Sequence, residues 1–301
     1  MSNVSLYRFY LFLGDIIMMY KIKKKLNNNV ILIKDTFGHE KILIGNGIGF
    51  DAKVDSVFKK NKDVRQTFVL SNQMNIESYR EIIENTDPEL VAFLEEEIAV
   101  IQKELGKELN ENIHTTLIDH VAFAIERHKK GIDFINPLDS EIRLIYKKEY
   151  LLASKLMERF RMKFKIALID DEIGILAIHI HAASQDENID LSRSRVKMIQ
   201  ETIQRILEEL HLEKRSDSLA YQRLLIHTRY AFDRLLSSQS IEVEDYIMKT
   251  VKENYAETFQ CIKKAAQKIE KQYDIKIPES EIVYLVIHVN RLIDVNKKKR
   301  I

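Results

Sequence analysis

Four histidines recur at matched positions in this chain, and an imidazole nitrogen is a nucleophile that can accept a phosphoryl group near neutral pH. The stretch EIGILAIHIHAA, residues 172 to 183, returns as EIVYLVIHVNRL, residues 281 to 292. In each copy a histidine, His179 or His288, stands seven places after a glutamate. LIDHVAFAIER at 117 to 127 likewise returns as LLIHTRYAFDR at 224 to 234, where His120 and His227 precede an aromatic by three places and an arginine by seven. The histidines lie 59 residues apart in the first half and 61 in the second, and the halves are offset by 107 to 109 residues. That period is too long for a solenoid and marks duplication of a domain of roughly one hundred residues.

A packing role would be filled by any hydrophobe of similar size, whereas four titratable rings kept in register point to chemistry. The sequence carries no Ser/His/Asp triad, P-loop or dinucleotide fingerprint, so it reads as an acceptor of phosphate and not as an enzyme. His39, His114, His128, His181 and His211 stand outside the duplicated registers and read as structural residues. On a strand, His179 and His181 would form a His-x-His metal pair; on a helix they lie about 200° apart and cannot share an ion. A metal-dependent hydrolase is thus an alternative that requires a strand, and no HExxH motif or cysteine cluster supports it. No metal or cofactor is expected.

The elements that must place these histidines are legible from composition. The chain has 301 residues, more than one compact core usually holds, with only eight Gly and three Pro, so most of it reads as helix. Lys+Arg at 47 against Asp+Glu at 46 leaves a net charge of +1, which excludes a uniformly basic nucleic-acid binder. Cys261, the single cysteine, reads as a small core hydrophobe in a reducing cytoplasm. Arg8 and Asp15 break the apolar run of residues 1–18, which reads as an N-terminal extension with no membrane insertion.

EIGILAIHIHAA looks like a strand by composition, yet DDE at 170 to 172 and Pro278 with Glu279 and Glu281 open the two copies as helices open. From residue 75 onward the pattern is helical, with linkers suggested by ENTDPEL at 84 to 90 and SQDENIDLSRSR at 184 to 195. Ahead of it, YKIKKKL places Tyr20, Ile22 and Leu26 on one side of a strand and Lys21, Lys23 and Lys25 on the other. NNN turns into VILIK, TFGHE turns into a third strand over 41–50, and a fourth is expected near QTFVL at 66 to 70. Residues 20 to 60 hold nine Lys against four acids, net +5, while residues 61 to 301 carry net −4. So small a sheet buries little apolar surface alone, which favours a dimer. Asparagine amides, close glycines and Phe50 suit a single-stranded or bulged RNA better than a plain solvated face.

Those motifs together resemble the BglG/SacY family of bacterial transcriptional antiterminators from Tyr20 almost to the C-terminus. KKLNNNVILI and ILIGNGIGF resemble its co-antiterminator RNA-binding domain, and the duplicated halves resemble its phosphotransferase-system regulation domain, the PRD. The resemblance implies an α+β multidomain chain, a small antiparallel β RNA-binding domain followed by two duplicated all-α helical bundles. The expected boundaries are 1–18, 19–76, 77–187 and 188–301. It implies a cytoplasmic homodimer that clamps an RNA hairpin in an mRNA leader and keeps a terminator from forming. RNA contacts carry over to Asn29, Gly45 and Phe50, with Lys24 and Asn27 beside them; Asn46 stands where the family commonly has a basic residue. The phosphoacceptors carry over to His120, His179, His227 and His288, with sugar-specific enzyme II acting on the first PRD and HPr on the second. Residues 113–137 most resemble the glucose-responsive branch. Arg127 and Arg234 are candidate phosphate contacts, and Asp119 a candidate orienter of His120. A PRD-containing DNA-binding activator is a second alternative, but it should open with a helix-turn-helix where this chain opens with strands.

Overall fold

The computed structural model describes residues 19–59, 63–70, 73–132, 134–237, 239 and 241–298; the expected extension over residues 1–18 lies outside the described residues. Five strands come first: β1 (Met19–Lys25), β2 (Val30–Lys34), β3 (Glu40–Gly45), β4 (Val57–Lys59) and β5 (Val64–Leu70). They form one antiparallel sheet in the order β4-β1-β2-β3-β5. Among the described residues eleven helices follow: α1 (Gln73–Asn85), α2 (Pro88–Leu105), α3 (Ile113–Lys129), α4 (Asp139–Ile145), α5 (Lys147–Phe164), α6 (Asp171–Gln185), α7 (Ile189–Glu209), α8 (Leu219–Leu236), α9 (Asp245–Asn254), α10 (Ala256–Tyr273) and α11 (Glu279–Lys298). The α+β architecture expected from the sequence is the one observed.

β1 alternates as anticipated, burying Tyr20 and Ile22 and exposing Lys21 and Lys23. Its register then slips between Ile22 and Lys24, a bulge that sets Lys24 opposite Leu32. β2 does not alternate: Val30, Ile31, Leu32 and Ile33 are all buried. Ile31 and Ile33 join Tyr20, Ile22, Leu43, Ile48 and Phe58 in one cluster, and α2 packs against β2 as well. A strand covered on both faces has no use for polar alternation.

Two strand expectations are corrected. The third strand stops at Gly45, and residues 46–51 form turns, because the register slips at Gly45 and Gly47 takes a positive φ of 69°. A Cβ on Gly45 would lie 2.1 Å from the Asp63 carbonyl oxygen, so only glycine lets that segment approach β5. β4, three residues long with Phe58 as its inward side chain, was not anticipated; so short a run carries no period of its own.

Both histidine-bearing repeats are helices, α6 and α11. Ile173 and every residue from Ile175 to Ser184 are buried, so the β-like composition of α6 reflects burial all round the helix. The two suggested linkers are helix punctuation. Asp87 caps α2, its side chain accepting from the Glu89 N–H at 2.7 Å ahead of Pro88, and Asn188 caps α7, accepting from the Asp190 N–H at 2.7 Å.

The chain groups into two compact units. One gathers the sheet and α1 to α3 with residues 158–168 and 183–186; the other gathers residues 134–157, 169–182 and the chain from 187 on. At the heart of the first, the carboxylate of Glu95 accepts from the Tyr79 hydroxyl at 2.9 Å and meets His114 Nδ1 at 2.7 Å. All three side chains are buried, and Phe68 packs edge-on against the His114 ring at a centroid distance of 4.5 Å. Burial and the adjacent carboxylate push the Tyr79 hydroxyl well above its ordinary pKa. In the second unit α7, α8, α10 and α11 pack against one another, and α4 leans on α7 and α8. Glu141 of α4, fully buried, is held there by Lys214 at 2.7 Å and the Tyr221 hydroxyl at 3.0 Å, and these partners keep its pKa low against the cost of burial. Replacing Glu95 by Ala strands a buried hydroxyl and a buried imidazole, so urea unfolding should show a loss of about 3 kcal/mol or more, and Glu95→Gln, which keeps an acceptor, a smaller one.

Candidate functional site

The loop face of the sheet is built by its own polar side chains. Asn27 Oδ1 accepts from the N–H groups of Asn29 at 2.7 Å and Val30 at 2.9 Å, closing the NNN turn. Asn29 Oδ1 accepts from the Gly47 N–H at 3.1 Å, and the Asn29 carbonyl accepts from the Gly45 N–H at 2.9 Å. The two loops therefore hold each other, and Asn29 Nδ2 reaches Glu96 at 3.2 Å. A Cβ on Gly49 would lie 2.2 Å from the Asn27 carbonyl oxygen, which explains the third glycine of GNGIG.

The six sequence-derived candidates on this face thus take different places. Asn27, Asn29 and Gly45 shape the loops; Lys24, on the bulge, donates to the Ile83 carbonyl of α1; Asn46 and Phe50 stand exposed at the tips. Phe50 is 69% exposed, and Lys25 donates to its carbonyl at 3.3 Å. Lys21 and Lys23 are exposed, Lys21 pairing with Asp55 at 2.8 Å. An unburied aromatic beside lysines is a surface on which a base can stack and a phosphate can rest.

The second chemical site lies between α8 and α11. The rings of His227 and His288 stack with centroids 3.6 Å apart and planes 16° from parallel. Tyr284, one helical turn before His288, sets its hydroxyl 2.9 Å from His227 Nδ1. Two turns away, Arg234 donates to both oxygens of the buried Glu281, at 2.8 and 2.6 Å, with its guanidinium 5.4 Å from the Tyr284 ring centre. The contacts 227 to 288 and 234 to 281 make the helices antiparallel, and the matched seven-residue spacings put the ion pair and the ring pair at the same separation on both. Arg234 was a candidate phosphate contact; it is committed to Glu281. Tyr284 and Glu281 are the residues the histidine reading passed over, although the glutamate seven places before each histidine was in plain view.

Electrostatics keep this pair neutral. Burial, then His227, Arg291 and Arg223, push the His288 pKa down to about 4, and burial with Arg291, Arg234 and Arg223 lowers that of His227. An uncharged ring with a lone pair is the nucleophilic form.

His120 sits on α3 in the first compact unit, half-buried, with Arg127 over the Phe123 ring at 5.0 Å on the same helix. His179 is buried on α6 in the second unit. His181, on the same helix, is structural as anticipated: buried, stacked on Tyr146 at 3.8 Å and 3.1 Å from Glu149, whose pKa stays low through that contact despite burial. Among the described residues no group of three or more His, Cys, Asp or Glu side chains is placed to hold a metal ion, and no helix is long and apolar enough to cross a membrane.

The CAT RNA binding domain pattern matches residues 20–77 and the PRD domain pattern matches residues 95–183 and 200–292. Transcription antiterminator LicT of Bacillus subtilis is 31% identical over 274 residues, spanning 91% of this chain and 99% of that protein. A β-glucoside operon antiterminator of Dickeya chrysanthemi is 28% identical across 90% of this chain and 96% of its own, and Protein GlcT of Staphylococcus haemolyticus 29% identical across 90% and 95%.

The lowered His288 pKa has a stability consequence. Below the ordinary value of 6.5 the unfolded chain binds a proton that the folded ring refuses until about pH 4, so the contribution of the neutral ring is full above 6.5 and is lost as pH falls across that window. His288→Gln should therefore lose less stability than the parent between those limits in urea unfolding at a series of pH values.

Proposed function

The chain belongs to the BglG/SacY family of transcriptional antiterminators, a CAT RNA-binding domain followed by two PRD domains, and from that premise we propose how its two sites divide the work. Residues 19–76, as a homodimer in the cytoplasm, bind a hairpin in an mRNA leader, and the terminator that overlaps it does not form. Residues 77–187 and 188–301 are the two regulatory domains. His120 and His179 in the first and His227 and His288 in the second accept phosphate from phosphotransferase-system proteins, sugar-specific enzyme II acting on the first and HPr on the second.

The observation that carries the regulatory half is the stacked His227–His288 pair, two neutral imidazoles brought together from positions 61 residues apart. On the RNA half, the exposed Phe50 beside a basic strand supports the reading, with Asn46 available at the tip, Asn27, Asn29 and Gly45 holding the loops in shape, and Lys24 donating to the Ile83 carbonyl of α1. A phosphohistidine adds about −1.5 to −2 charges, and at an effective dielectric near 20 one close unit pair is worth about 4 kcal/mol. That is enough to bias a marginal dimer contact.

Phe50→Ala should weaken hairpin binding by the full chain by about 1–3 kcal/mol with an unchanged circular dichroism spectrum; equal affinity removes the ring from the interface. A terminator–reporter assay tests the first regulatory domain. His120→Ala should leave antitermination high without the inducing sugar, and His120→Asp, a partial charge mimic, should lower it. A folded, dimeric His120→Ala protein that stays silent with the sugar present would exclude an inhibitory role for that histidine.

A further inference from the structure

Two arginines flank the stacked histidines on the side away from the Arg234–Glu281 pair. On the reading of His227 and His288 as phosphoacceptors, we propose that Arg223 and Arg291 form an oxyanion clamp for the phosphoryl group on either imidazole, and that the first half of the chain does not repeat it at the matching registers.

Helix spacing makes the placement. Arg223 lies four residues before His227 on α8 and Arg291 three residues after His288 on α11, so each sits one turn from its histidine on the same helix face. Because the helices run antiparallel, both arginines fall at the same end of the ring pair. Both are exposed, and among the described residues neither makes a hydrogen bond or ion pair. The other arginines of α8 are engaged: Arg234 with Glu281, and Arg229 with Asp233 at 3.3 Å and the Ile145 carbonyl at 2.7 Å. Each guanidinium offers a planar fork of N–H donors that matches two phosphate oxygens. The positive charge of both already bears on the two rings, helping to keep them unprotonated.

The same geometry selects the nitrogen. His227 Nδ1 is engaged by the Tyr284 hydroxyl, and His288 Nδ1 is buried without a hydrogen-bond partner among the described residues. Nε2 is left as the reactive atom of each ring. At the registers that match Arg223, Arg291 and Tyr284, the first half carries Thr116, Ala182 and Ile175. None of the three can supply a cation, so the halves differ in how they hold a phosphate although they share the histidines.

Phosphoramidate tests the clamp without any partner protein. The Nε2 lone pair forms a bond to phosphorus as the bond from phosphorus to the ammonium nitrogen breaks; neutral ammonia leaves, and the ring keeps its Nδ1 proton as a phosphoimidazolium. Full-length protein is incubated with phosphoramidate, and acid-labile phosphate is followed on the peptides that carry each of the four histidines. Labelling of His227 and His288 should be at least about tenfold slower in Arg223→Gln/Arg291→Gln, with labelling of His120 and His179 unchanged and partial recovery in Arg223→Lys/Arg291→Lys. The clamp is overturned by equal labelling of the pair in parent and glutamine variant, by no labelling of the pair in the parent, or by a parallel loss at His120 and His179, which marks a global effect. HPr as donor separates the two claims. Clamp-dependent labelling by phosphoramidate with no transfer from HPr removes that donor and keeps the clamp, whereas transfer from HPr indifferent to both arginines removes the clamp and keeps the donor.

Discussion

The bidentate pair between Arg234 and Glu281 is the contact on which the stacked histidine pair of the second unit depends. Glu281 is 1% exposed, and a carboxylate so placed is tolerable only with a cation directly on it. The pair fixes the rotation and register of α8 against α11. With that register set, seven residues along each helix bring His227 and His288 face to face and put Tyr284 within reach of His227. The pair itself lies too far along the helices to do chemistry. Its work is to decide which side chains meet two turns away.

The consequence is a division of labour among arginines that a charge count does not reveal. Those on α8 are of one residue type and similar spacing, yet Arg234 is bound into the helix seam, Arg229 into the contact with α4, and Arg223 faces outward. The histidines inherit their low pKa from the same crowding: burial works first, and the neighbouring cations add to it. A site that repels protons but is ringed by guanidinium groups is suited to a dianion, since the charge that disfavours an imidazolium favours a phosphoryl group.

The sheet follows another economy. Its polar residues are spent largely on itself: Asn27 closes one turn, Asn29 ties that turn to the GNGIG loop, and glycines at 45 and 49 allow backbone to approach backbone. Rigid loops hold Phe50 and Asn46 out at their tips. Loops braced in this way have little ordering entropy left to lose in any contact made at their tips.

Much of this was legible in the residues alone. Periods of two and of 3.6, the helix-opening acids at 170 to 172 and Pro278 ahead of Glu279 and Glu281, and a duplication offset of 107 to 109 residues are local or self-referential signals, so helix type, the first strands and the four matched histidines could be read without coordinates. β4 and the end of β3 could not, because a three-residue strand has no period and the halt at Gly45 is imposed by Asp63, a neighbour in space. The family resemblance marks Lys24 as an RNA contact, but only the fold shows the bulge at which its amine donates to the Ile83 carbonyl of α1. Partnership is decided only in three dimensions. Nothing in RLLIHTRYAFDR says that Arg234 will be taken by a glutamate 47 residues on while Arg223, among the described residues, makes no ion pair; that depends on the rotation of two helices, which long-range packing determines and local sequence does not.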